Sequence, residues 1–243
     1  MDLTFRSDKK ELLDSDGIPF DAIRANMEEL DLINSRLGGH RTTINGFKQL
    51  LKNQKEVVVC EIGCGGGDNL MAIHRWCKRR GIAARFIGID INPDCVAIAR
   101  AACDLSNFIF IASDYRQINF DKDRPDIIFS SLFCHHFSHD ELVYMMQWMI
   151  ENSSKGIFIN DLHRHAIAYY SIFWLTRAFS NSYLVKNDAP LSVLRGFRRK
   201  EWLEILGDAG FTPQELSWRW AFRWLIVIRK KSTDCNGPGT GNI

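Results

Sequence analysis

Residues 57–67 read Val57-Val58-Val59-Cys60-Glu61-Ile62-Gly63-Cys64-Gly65-Gly66-Gly67. The apolar run Val57–Ile62 ends abruptly in glycines, and the stretch after it, Asp68–Arg80, places Leu70, Ile73 and Cys77 on one helical face. A buried strand, a glycine loop and a helix in that order predict the opening of a nucleotide-binding α/β unit. Gly63, Gly65 and Gly67 permit positive φ and close approach of the backbone to a ligand. The spacing is G-x-G-x-G with an acid two residues ahead of it, not the G-x-G-x-x-G of a dinucleotide loop. A pyrophosphate favours bare helix N-terminal amides. Glu61 at the loop entrance favours a cationic ligand instead, because opposite charges attract strongly once partly desolvated.

Working outward, strands and helices continue to alternate. Lys78-Arg79-Arg80 suit a helix C-terminus and Gly81 closes it. Phe86–Ile91 reads as a second strand, and Asn92-Pro93 supplies the N-cap and first residue of a helix reaching about Asp104. Phe108–Ala112 and Asp126–Phe133 read as the third and fourth strands. Ser138 and Glu141 have capping-box spacing and open a helix through Ile150. Lys155–Leu162 reads as a fifth strand, Ala166–Phe179 as an apolar helix, Arg198–Ala209 as another, and Trp218–Arg229 as strand-like. The pattern predicts a doubly wound α/β fold, mostly parallel, with helices on both faces and an antiparallel edge formed by the last segments.

Upstream, Ile23, Met27, Leu30 and Ile33 step by three or four within a helical region, Asp21–Gln54, interrupted at Gly38-Gly39. Residues 1–20 are polar and turn-rich, which predicts a loosely attached arm. The expected division is an N-terminal arm and helical lid over 1–54, a ligand-binding domain over 55–231, and a disordered tail over 232–243, STDCNGPGTGNI.

With 243 residues, 46% apolar and 25% charged, the composition is that of one soluble domain. A net charge of +2 gives no electrostatic footing for nucleic acid. The first residues lack the apolar core of a secretory signal. The apolar run Ala166–Leu175 falls short of the ~18 residues of a membrane span, so stable membrane insertion is not expected. Seven scattered cysteines form no CxxC pair, which predicts free thiols in a reducing cytoplasm. Oligomeric state is not encoded in any pattern we recognise.

Acidic residues recur at strand ends. Asp90 closes the second strand, where a carboxylate accepts hydrogen bonds from a ribose diol. Ile91 is placed to cover one face of an adenine, and Asp114, after Ser113, to accept from an exocyclic amine. As an ordered set, EIGCGGG, GIDIN, ASDY and PDIIFSSLFCHHF resemble the motifs of the class I S-adenosylmethionine-dependent methyltransferases. The resemblance spans roughly residues 55–230. It implies a Rossmann-like, seven-stranded sheet and S-adenosylmethionine as cofactor. It also implies cofactor contacts from Glu61, Gly63, Cys64, Gly65, Asp90, Ile91, Ser113, Asp114, Tyr115 and Ser131. The distance from the loop to Asp90 is longer than usual in that family, which we read as an extended first helix away from the site.

The acceptor belongs at the fourth strand end. Amino-directed nucleic-acid methyltransferases carry an Asp/Asn-Pro-Pro-aromatic tetrad there, whereas this chain has Ser130-Ser131-Leu132-Phe133. His135 and His136 follow, and the fifth strand leaves Asp161 and His163 at the same edge. A histidine oriented by a carboxylate is suited to remove a proton near neutral pH, so His135, His136 and His163 are candidate bases and Asp161 the candidate orienting group. His139 falls to the helix cap. A zinc or iron site from the same residues is not expected, because neighbouring histidines on an extended backbone point apart and no helical i, i+4 pair is available. Phe133, Tyr169, Tyr170, Phe173 and Trp174 are the expected apolar substrate wall, with His40 closing the other side.

HHFSHDEL, NDLHRHAIAYY, LSVLRGFRRKEWLEIL and WRWAFRWLIV are further similar to a bacterial branch associated with polyketide-type pathways. That similarity implies O-methylation of a small phenol, pyrone or quinone-like acceptor. C- or N-methylation on the same fold is the alternative. A non-catalytic cofactor-binding protein and a nicotinamide oxidoreductase lie further off.

Overall fold

The computed structural model describes residues 3–120 and 124–230, so the expected tail over 232–243 lies outside the described residues. The elements run α1 (Phe20–Arg36), α2 (Gly39–Leu51), β1 (Glu56–Ile62), α3 (Asp68–Lys78), β2 (Ala83–Asp90), α4 (Pro93–Ala102), β3 (Phe108–Ala112) and β4 (Ile127–Ser131). There follow α5 (His139–Asn152), β5 (Gly156–Leu162), α6 (Ala166–Phe179), α7 (Tyr183–Arg195), α8 (Arg199–Asp208), β6 (Glu215–Arg219) and β7 (Arg223–Arg229). The seven strands form one sheet in the order β3-β2-β1-β4-β5-β7-β6, with β7 antiparallel to both of its neighbours. This is the expected Rossmann-like methyltransferase fold.

Strand periodicity divides the core between the two faces. Val57 and Val59 of β1 pack with Phe47 of α2, Leu70 of α3 and Val96 of α4. Cys60 and Ile62 point the other way, into a cluster with Met145 of α5 and Trp202 of α8. Helix α2 lies close on the sheet: a Cβ at Gly46 would stand 2.6 Å from the Phe158 ring. It is therefore core, and α1 alone of the two N-terminal helices overlies the strand ends. Ser138 and Glu141 form the expected capping box of α5.

Two elements depart from the sequence reading. Trp218–Arg229 is not one strand but the end of β6, a turn at 220–222, and β7. Helix α7 was not expected at all. Pro190 lies inside it, and its buried set mixes Leu184, Val185 and Val193 with Asp188 and Arg195, which erases the apolar period.

The N-terminal arm is docked, not loose. Asp188 accepts from the Leu12 and Leu13 amides at 2.8 and 3.0 Å. Arg6 donates to the carbonyls of His135, Phe137 and Arg195, and its guanidinium lies 4.2 Å from the Phe197 ring centroid. Composition concealed this, because charged residues hold the arm down rather than apolar ones.

Candidate active site

A cavity of about 1130 Å³ opens at the carboxyl ends of β1, β2, β4 and β5, where open α/β sheets bind ligands. Helices α1, α6 and α7 and arm residues Lys10–Ile18 roof it. On the β1–β2 side lies the glycine loop. Gly63, Gly65 and Gly67 have φ of +67°, +49° and +79°, and a Cβ at Gly63 would stand 2.2 Å from the Phe133 ring. Asp90 Oδ2 accepts from the Gly65 amide at 2.8 Å and Oδ1 from Asn92 at 2.9 Å. Each oxygen keeps acceptor capacity for a further donor. Burial raises the pKa of Asp90, and His136 lies near enough to pull against that shift.

Glu61 is 1% exposed, and neither carboxylate oxygen has a hydrogen-bond partner among the described residues. Burial, then the charges of Asp68 and Asp90, raises its pKa well above the carboxylate range, although the Asn69 amide beside it favours the ionised form. An orphaned buried acid beside a glycine cradle fits a cationic ligand. Ile91 is 71% exposed on the cavity rim, an apolar surface of the kind a planar base covers. Cys64, Ser113 and Ser131 also line the cavity.

Asp114 and Tyr115 line it too, but each has another engagement. Arg116 Nε lies 3.0 and 2.9 Å from the two Asp114 oxygens, so that carboxylate is already paired. Tyr115 is buried edge-on against Trp148 at 5.1 Å, a core contact more than a ligand one.

On the β4–β5 side the backbone leaves the sheet through Leu132, whose φ of +54° is left-handed. That conformation costs a non-glycine residue about 1–2 kcal/mol. It leads into a single 3₁₀ turn, Cys134–His136. This overturns the premise that the adjacent histidines point apart: on the turn their ring centroids are 4.4 Å from each other. His135 Nδ1 lies 2.9 Å from Asp161 Oδ1, and its Nε2 lies 3.3 Å from Glu11 Oε1. Burial acts to lower the pKa of His135, but Asp161 and Glu11 outweigh it and raise it to about 9. Asp161 also accepts from the amides of Phe133 and Leu162.

His136 is less buried. Its Nδ1 lies 3.2 Å from Asp14 Oδ2, while Nε2 is 3.8 Å from Glu11 Oε2, beyond hydrogen-bonding range. Glu11, His135 and His136 bring potential ligand atoms within 4.8 Å of one another. Both nitrogens of His135 already face carboxylates, so the group stands as a charged hydrogen-bonded cluster. Glu11 and Asp14 are the residues sequence reasoning missed. Their partners lie 122 or more positions away in the chain, and no local pattern marks such contacts.

Six expected contributors lie elsewhere. His163 is absent from the cavity wall and packs against Trp224 at 5.1 Å, its Nδ1 buried without a partner. Burial, then the charges of His165, Arg164 and Arg198, lowers its pKa to about 4. His40 is engaged by Asp68 at 2.8 Å and lies off the wall. Tyr169, Tyr170, Phe173 and Trp174 also lie off it, Trp174 being 65% exposed; the helical period turns Ala168, Ile172 and Leu175 inward instead. Phe133 does line the cavity, with Phe137, Val185 and the α1 residues Leu30 and Ile33.

Residues 59–156 match a family described as a methyltransferase domain. No curated protein sequence matches the chain. Among solved structures, a plantazolicin methyltransferase bound to S-adenosylhomocysteine is similar at 17% identity and TM-score 0.61, over 87% of this chain and 90% of that one. An O-methyltransferase family 2 protein from Planctomyces limnophilus DSM 3776, complexed with apigenin, gives 16% identity and TM-score 0.61 over 89% and 63%. The magnesium protoporphyrin IX methyltransferase of Synechocystis PCC 6803 with bound S-adenosylmethionine gives 14% identity and TM-score 0.56 over 89% and 100%. At these identities the likeness establishes the fold.

Proposed function

We propose, from the premise that residues 59–156 form a methyltransferase domain, that this chain transfers a methyl group from S-adenosylmethionine to a hydroxyl of a small, largely apolar phenol, pyrone or quinone-like acceptor. The observation that carries the reading is the cluster of His135, His136, Glu11 and Asp14 on the same cavity as Gly63, Gly65 and Asp90, with Asp161 buried behind His135. S-adenosylmethionine, when bound, supplies an electrophilic methyl group on a sulfonium centre. Glu61 lies buried beneath the glycine loop, where a cationic donor favours its ionised form, Asp90 offers two carboxylate oxygens to a ribose diol, and Ile91 covers the base. Leu30, Ile33, Ile172, Leu175 and Val185 give the acceptor an apolar wall.

Methyl transfer asks the protein to align a nucleophile and remove its proton. His136 is the base. With Nδ1–H donating to Asp14, its Nε2 carries the lone pair, and among the described residues the facing Glu11 carboxylate, at 3.8 Å, stands beyond hydrogen-bonding range of it. The hydroxyl proton passes to that nitrogen. His135, held protonated between Asp161 and Glu11, contributes fixed positive charge where the oxygen becomes anionic. Calorimetric titration with S-adenosylmethionine, followed by NMR location of the methyl group on a methylated phenol, tests this. Absence of cofactor binding overturns the reading, and a carbon- or nitrogen-bound methyl group overturns the acceptor assignment.

A further inference from the structure

Arg223, the first residue of β7, closes one end of the cavity beside Trp220 and Phe222. It is 3% exposed. Its Nη2 donates to Asn34 Oδ1 at 2.8 Å, and its Nη1 has no hydrogen-bond partner among the described residues. Asp161 and Asp68 favour its charge only from a distance, and burial lowers its pKa to about 10. Asp68 is committed elsewhere: its Oδ2 accepts from Asn34 Nδ2 at 3.0 Å and lies 2.8 Å from His40 Nε2. Asn34 is thereby fixed with its oxygen toward the guanidinium.

A second positive feature meets the first. The 13-residue helix α2 begins at Gly39, and its N-cap, Gly38, is left-handed and provides no side-chain cap. A Cβ on Gly39 would lie 3.0 Å from Arg223 Nη2, so the guanidinium abuts the uncapped amide end of a helix. A buried cation against a helix N-terminus is costly unless an anion joins them. A planar guanidinium with an open N–H is suited to a carboxylate.

We propose that Arg223 anchors a carboxylate-binding subsite at this end of the cavity, with the amide end of α2 behind it. The inference rests on the methyl-transfer reading, which offers two sources of the carboxylate: the methionine end of the donor or an acid group on the acceptor. Asp90 on β2 and Arg223 on β7 are separated by four strand spacings, about 19 Å at the strand ends. The Arg223 side chain shortens that gap, because its partner Asn34 also holds Asp68 at the start of α3.

Titration calorimetry on the full chain tests the subsite. The first arm compares S-adenosylmethionine with its decarboxylated analogue. The second, with S-adenosylhomocysteine bound, compares 4-hydroxybenzoate with its methyl ester. Donor recognition gives the wild type at least a tenfold preference for S-adenosylmethionine, and acceptor recognition gives at least a tenfold preference for the free acid. In either case Arg223→Gln and Arg223→Met abolish the preference. Wild-type indifference in both arms overturns the subsite while leaving the methyl-transfer reading intact, and so does a preference retained by a folded variant. Failure of the wild type to bind either donor removes both.

Discussion

His135 Nδ1 lies 2.9 Å from Asp161 Oδ1 across the ends of β4 and β5, and both side chains are excluded from solvent. With Glu11 on the other ring nitrogen, the imidazole stays protonated to about pH 9 and cannot accept a proton at neutrality. Asp161→Asn therefore moves the His135 titration, followed through its ring protons by NMR, downward from about 9. The same change lowers kcat by about 10²-fold or more, the scale of a lost charge-positioning or acid–base group.

The base assignment separates the three histidines. His136→Gln lowers kcat by about 10²–10⁴-fold, with affinity for S-adenosylmethionine retained. His163→Gln leaves kcat within about twofold, because that ring lies behind the cavity wall. Equal losses in the two variants would argue for a structural effect instead. Steady-state kinetics paired with cofactor calorimetry decides between these outcomes.

Two histidines give stability opposite slopes with pH. The pKa of His135 is raised on folding, so its contribution is fully present below about 6.5 and is lost as pH climbs through about 9. The pKa of His163 is depressed to about 4, so the unfolded chain binds the extra proton, and stability falls as pH drops from about 6.5 toward 4. Thermal unfolding across pH 4–9 shows both limbs. His135→Gln flattens the alkaline limb and His163→Gln the acidic one.

On α6 the inward residues, not the aromatic ones, face the cavity, and the proposed acceptor contacts follow them. Ile172→Ala removes wall surface worth about 1–3 kcal/mol and raises KM for an apolar phenol roughly 5- to 160-fold. Trp174→Ala and Tyr170→Ala, at solvent-exposed positions, leave KM unchanged. Kinetics on one phenolic acceptor with all three variants checks the orientation of the helix.

The glycine loop and the strand-end acids were legible in the sequence because each part is local. A strand that ends in glycines, an acid two residues before them and an acid at the next strand end need no long-range information. His135, His136 and Asp161 were legible for a related reason, since parallel strands deliver their carboxyl ends to one edge. What stayed hidden depends on partners far away. Glu11 and Asp14 read as polar arm residues until the fold sets them against His135 and His136. Arg223 read as part of a strand, and its unshared N–H is visible only in three dimensions. The α6 aromatics misled because density was weighed above the 3.6-residue period, which sends 168, 172 and 175 inward. The rings of an adjacent pair, His135-His136, converge because Leu132 turns the backbone out of the extended form.

The docked arm carries a temporal consequence. Glu11 meets Ser192 across 181 positions, and Asp188 holds Leu12 across 176. A ribosome releases the acid long before it makes the hydroxyl that anchors it. Closing so long a loop is entropically costly and is repaid only by contacts made at its end. Since Glu11 and Asp14 belong to this arm, its docking both roofs the cavity and completes the charged group around His135 and His136, so one late-made set of contacts serves enclosure and chemistry together.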